Sequence, residues 1–176
     1  MKTLYLLRHA HAVPRELSLS DFDRPLDERG QNEAKAVANY LSEKKITFDF
    51  VMCSAALRTQ ETLEPLRDVI GTDAIEIAET FYNVPEDQIH HHLKHVSDDK
   101  DKVLYIGHNP GIAFASLKFV KVFPDFLIEE GIKPATLIGI HFPLDKWADL
   151  DWWQGEIMDV FQPNLPSTEA PVPTEP

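Results

Sequence analysis

The sequence predicts an α/β protein: a mostly parallel central sheet with an antiparallel edge and helices on both faces. Short, largely apolar runs at residues 4–7, 48–53 (interrupted by Asp49) and 103–106 are bounded by polar residues, as expected of strands buried on both faces of a parallel sheet. Segments with helical spacing separate them, the alternation that marks α/β architecture. The last two strand-like runs, 136–142 and 153–160, are joined by so short a connection that they are expected to pair antiparallel at an edge.

The chain of 176 residues suits one domain with its own core, and its net charge of −12 narrows the partners. Nucleic acid is not among them, because its binding depends on Lys and Arg neutralising phosphates. A small phosphate or a phosphorylated side chain remains open, since a few concentrated cations suffice. No run approaches the roughly 18 apolar residues of a membrane span, so no membrane partner is expected. Met1-Lys2-Thr3 leads straight into the first strand without a secretion pattern, and Cys53 is the single cysteine; cytoplasm is the expected compartment. Composition carries no reading of oligomeric state.

In chain order, Leu4-Tyr5-Leu6-Leu7 is the first strand, with Arg8 and His9 at its carboxyl end. Ligands of open α/β sheets bind outside the carboxyl ends of strands, which favours chemistry over packing there; an Arg that opens a loop and a His that caps it is the alternative. An irregular polar loop then leads to a helix with acidic residues in its first turn. Ala34, Val37, Ala38 and Leu41 form its buried stripe, and Gly30 costs it about 1 kcal/mol relative to Ala. That cost points to a close approach at Gly30 or to a tolerated glycine.

The second strand ends at Ser54, which is expected to cap the helix that follows. Arg58 in its first turn opposes the macrodipole unless an anion lies between them. A third strand at 74–78 precedes the Glu79–Asn83 loop, and Pro85 starts a helix with Ile89, Leu93 and Val96 inward. Of His90, His91, His92 and His95, only His91 and His95 stand at i, i+4, which favours a solvated face over a metal site. The fourth strand runs into Gly107-His108, and a helix opens at Gly111. His141 and the three tryptophans read as packing residues. Residues 1–162 form the domain; 163–176 are a proline-rich tail, expected to be extended or disordered.

Three strand ends thus offer Arg8 and His9, Arg58, and His108, a set suited to a dianionic phosphoryl group. Here the chain resembles the histidine phosphatase superfamily, with its phosphoglycerate mutases. Leu7-Arg8-His9-Ala10 is similar to the family's Arg-His-Gly signature, with Ala10 in place of glycine. The Ser54–Thr62 segment is similar to its second arginine segment, and Gly107-His108-Asn109-Pro110 to its Gly-His segment. Asp21, Arg24-Pro25-Leu26 and Gly30, with the short chain, resemble the SixA-type phosphohistidine phosphatases in particular.

The resemblance implies a three-layer α/β/α phosphoglycerate mutase-like fold and a metal-independent phosphatase without cofactor. Its substrate would be a phosphohistidine protein or a small phosphorylated molecule. It implies His9 as nucleophile, Arg8, Arg58 and His108 as binders of the phosphoryl oxygens, and a glutamate after the third strand as general acid, for which Glu79 is the local candidate. An imidazole leaves more readily than an alkoxide, so a missing acid would favour phosphohistidine. Ala10 is expected to narrow the pocket floor. Two other readings remain: a metal-dependent hydrolase with His9, His11 and His108 as ligands, and a non-catalytic phosphate-binding module that recruits a partner through its tail.

Overall fold

The computed structural model describes residues 1–17 and 20–163; the expected tail falls, except for Pro163, outside the described residues. Among the described residues six strands form one sheet in the order β3-β2-β4-β1-β5-β6. They are β1 (Lys2–Arg8), β2 (Phe50–Ser54), β3 (Ile75–Ala78), β4 (Lys102–Gly107), β5 (Leu137–Phe142) and β6 (Glu156–Phe161). β1, β2, β3 and β4 are parallel. β5 runs antiparallel to both β1 and β6, so β6 points the same way as β1.

The alternation of side chains along β1 shows how the layers form. Leu4 and Leu6 face a core built with α3 (Glu86–Lys94), α4 (Gly111–Phe119) and α5 (Asp125–Glu130). Tyr5 and Leu7 face the opposite core, built with α1 (Glu28–Lys44) and α2 (Leu57–Leu63). Period-two alternation in a strand buried on both sides requires apolar residues at every position, which is why the run reads as continuously hydrophobic. The stripe of Ala34, Val37, Ala38 and Leu41 is buried as expected. Trp147 is fully buried, Trp152 packs against the α3–α5 core and Trp153 is exposed.

Ser54 does not cap α2. It is the last residue of β2, and Ala56 holds the cap position without a side-chain bond. The Ser54 hydroxyl instead lies 2.8 Å from His108 Nε2 and accepts from the Ala56 amide at 3.3 Å.

Gly30 makes the closest approach in this half of the molecule. A Cβ there would lie 1.8 Å from the His11 carbonyl oxygen, so only glycine lets the first turn of α1 sit against the loop after β1.

Candidate active site

The carboxyl ends of β1, β2 and β4 meet because β4 inserts between β2 and β1. A cleft of about 450 Å³ opens above them, and Arg8, His9, Arg58 and His108 all line it. The same cleft takes Arg15, Asp21 and Arg24 from the loop after β1, and Tyr82 from the turn after β3. Four arginines in one cleft supply the local positive charge that a chain of −12 needs to hold an anion.

His9 sits one residue beyond β1, its amide bonded to the Gly107 carbonyl of β4 at 3.0 Å. Its Nδ1 lies 2.7 Å from the Ala10 carbonyl. A carbonyl only accepts, so Nδ1 carries the proton and Nε2 keeps a lone pair. Arg58 Nε donates to that Nε2 at 3.3 Å. Burial, then the neighbouring guanidiniums, push the His9 pKa down to about 3, so the ring is neutral across the physiological range.

Arg58 ties the site together. Its guanidinium is 2% exposed and donates to the Asp21 carbonyl at 2.6 Å, to Asp21 Oδ2 at 3.2 Å and to His108 Nδ1 at 3.1 Å. With Nδ1 accepting, the His108 proton is on Nε2 and donated to Ser54. Burial, and then His9 and Arg58, lower the His108 pKa to about 2. Asp21 also accepts from Tyr82 at 2.5 Å and from Arg24 at 3.0 Å; the Tyr82 bond and the two arginines hold its carboxyl well below the usual range. Arg8 Nη1 donates to the Ile132 carbonyl at 2.7 Å, while Arg8 Nε and Arg24 Nε are buried without a partner among the described residues.

Glu79 is not brought to the cleft. It stands exposed at the start of the turn after the edge strand β3, and Tyr82 and Asn83, three and four residues on, line the cleft instead. Nor does Ala10 form the cleft floor: it is fully buried, its side chain packs in the α1–α2 core, and its amide donates to Thr62 Oγ1 at 3.0 Å. Tyr82 carried no signal in the sequence beyond its place in a loop. Asp21 and Arg24 were visible as part of a motif but not as members of the site.

The buried neutral histidines set a pH dependence of stability. An unfolded His takes up its proton near pH 6.5, whereas His9 and His108 resist protonation down to about 3 and 2. Between those values the unfolded chain binds more protons, so stability rises with pH and falls as pH drops below 6.5. Each group contributes up to about 1.4 kcal/mol per pH unit in that window. Urea midpoints should fall steeply from pH 6.5 to 4, and His108→Asn should flatten the slope; an unchanged slope would contradict the neutral assignment.

The model of the histidine phosphatase superfamily (branch 1) matches residues 4–95. The chain belongs to the histidine phosphatase superfamily. An uncharacterized chloroplastic protein of Arabidopsis thaliana is 32% identical over 120 residues, 62% of this chain and 55% of that protein, so the match spans about half the length of that relative. The phosphohistidine phosphatase SixA of Escherichia coli is 33% identical over 68 residues, 39% of this chain and 41% of that one. Among solved structures, the provisionally named phosphohistidine phosphatase SixA of Nakamurella multipartitia superposes with a TM-score of 0.78 at 26% identity, covering 93% of this chain and 97% of that one. The three layers and the sheet order are thus the phosphoglycerate mutase-like fold of this superfamily. Among the described residues no helix is long and apolar enough to cross a membrane.

Proposed function

We propose that the protein is a phosphatase that takes a phosphoryl group onto His9 Nε2 and passes it to water, with phosphohistidine in a protein as its principal substrate. One observation carries this reading. The His9 proton is committed to the Ala10 carbonyl, and the Nε2 lone pair is presented in a cleft lined by four arginines. A neutral imidazole is a competent nucleophile. Arg8 and Arg58, and His108 once a second proton frees it from accepting, are suited to the nonbridging oxygens, whose charge spreads during transfer. The long Arg58 Nε contact to His9 Nε2, at 3.3 Å, is the one an arriving phosphoryl group would replace. A bound dianion raises the His108 pKa from its low value.

The reading calls for no metal, because guanidiniums supply the positive charge a metal ion would otherwise bring. The metal-hydrolase alternative fits the residues poorly. Both His108 nitrogens are engaged, by Arg58 and Ser54, and the arginines of the cleft repel a cation. Preference for phosphohistidine follows from the carboxylates. Asp21 is held as an anion and Glu79 stands outside the cleft, so no carboxylic acid is in place for an alkoxide, and an imidazole leaving group, which asks less of whatever proton donor serves, is favoured.

The test is phosphate release from a phosphohistidine protein, a phosphoserine peptide and a sugar phosphate. The phosphohistidine protein is expected to have the highest kcat/KM, by tenfold or more; a faster sugar phosphate would give the small-molecule reading instead. Glu79→Gln is expected to change no rate more than about twofold, the size of an ordinary surface substitution, whereas a selective loss on phosphoesters would return Glu79 to the role of acid. Binding of a phosphodonor without labelling of the protein would point to the non-catalytic module.

A further inference from the structure

His11 also lines the cleft, two residues from His9, and it is 37% exposed. Every other part of it is fastened to the start of α1. Its amide donates to Glu33 Oε2 at 2.8 Å, and its carbonyl accepts from the Asp27 amide at 3.3 Å. Its Nδ1 lies 2.5 Å from Asp27 Oδ2. Asp27 is the N-cap of α1 and uses its other oxygen to accept from the Gly30 amide at 2.8 Å. Glu33 is 4% exposed and is braced by Arg29 Nε at 2.8 Å. An acidic residue buried to hold a loop amide is a costly arrangement for packing alone. Its effect is to fix one imidazole with Nδ1–H on a carboxylate and Nε2 left without a hydrogen bond among the described residues.

We propose that His11, oriented by Asp27, is the proton donor and acceptor of the reaction. The proposal rests on the phosphatase reading above and supplies the step that neither Glu79 nor the arginine-bound Asp21 can. Arg8, Arg15, Arg24, Arg58 and Asp21 share the cleft with His11, and Glu33, which holds its amide, is paired with Arg29.

In the first step His9 Nε2 forms a bond to phosphorus. The bond from phosphorus to the leaving atom breaks, and the His11 imidazolium gives its Nε2 proton to that atom. The alcohol or imidazole departs neutral, and His11 is left neutral. In the second step a water oxygen bonds to phosphorus while neutral His11 takes the water proton. The bond between phosphorus and His9 Nε2 breaks, with its electron pair returning to the ring. Phosphate leaves as the monoanion or dianion, and both imidazoles regain their starting state. Asp27 touches no reacting atom; it is a positioning residue that keeps the Nδ1 proton in place, as in other carboxylate–imidazole pairs.

The test compares kcat/KM, which reports the phosphoryl-accepting step, on p-nitrophenyl phosphate and on a phosphoserine peptide, whose leaving group is far more basic. His11→Gln is expected to lower the ratio of phosphoserine to p-nitrophenyl activity about a hundredfold, the lower range for loss of a general acid. Added imidazole is expected to restore part of that ratio. Asp27→Asn keeps a good helix cap and should move the ratio in the same direction by a smaller factor. Equal loss on both substrates, or no change in the ratio in either variant, would overturn the proposal. Failure of the underlying reading would show separately, as no phosphate release by the unsubstituted protein on any substrate.

Discussion

Arg58→Ala is expected to lower kcat/KM by about a thousandfold, the upper range for losing one preorganised donor. The effect should exceed that of any other single arginine, because Arg58 alone bonds to His9, His108 and Asp21 together. Its removal takes away a donor to the phosphoryl group and unfixes the His108 ring. It also leaves the Asp21 carboxylate with only Arg24 and Tyr82, so an incoming dianion meets an anion less well balanced than before. Lysine should rescue little, since a point charge cannot reach three acceptors in a fork. Steady-state rates and competitive inhibition by orthophosphate would read the two effects; a loss below tenfold would show that Arg58 serves packing more than phosphate.

The largest stability effect is expected from Gly30→Ala. Alanine would ordinarily favour a helix by about 1 kcal/mol. Here its Cβ would meet the His11 carbonyl oxygen at 1.8 Å and the carbonyl carbon at 2.8 Å, and backbone cannot rotate out of the way. Overpacking against backbone belongs at the upper end of the usual range, about 3 kcal/mol. The net destabilisation, about 2 kcal/mol, corresponds to a fall in Tm of about 6 °C for a domain of this size. Activity should fall as well, because the loop that must move carries His11 and leads directly from His9. An unchanged Tm would mean that the first turn of α1 is looser than its bonds to Asp27 and Glu33 indicate.

The parts legible in the sequence are those with a local signature. The strands showed as apolar runs, and Arg8-His9, Arg58 and Gly107-His108 showed because each stands where such a run ends. Gly30 was legible as an anomaly, a costly glycine in a helix, although its partner across the loop was not. The rest depends on contacts between residues far apart in the chain. Asp21 reaches Arg58 from 37 residues away and Tyr82 from 61, and no periodicity announces a loop that folds over a sheet end. Glu79 was the nearest carboxylate in sequence to the expected acid position. After a short edge strand, however, the turn presents that residue to solvent and brings Tyr82 to the cleft. Ser54 had the residue type of a helix cap, and its hydroxyl is used by His108.

The most direct test of the central claim is to trap the phosphorylated enzyme. After rapid mixing with a phosphodonor such as phosphoramidate and quenching in alkali, the unsubstituted protein should carry one acid-labile, alkali-stable phosphate, located by peptide mass at His9, and it should lose that phosphate on the timescale of turnover. His9→Ala should carry none and lose activity by at least about a thousandfold. Stable phosphate on another residue, or full activity in His9→Ala, would contradict the account.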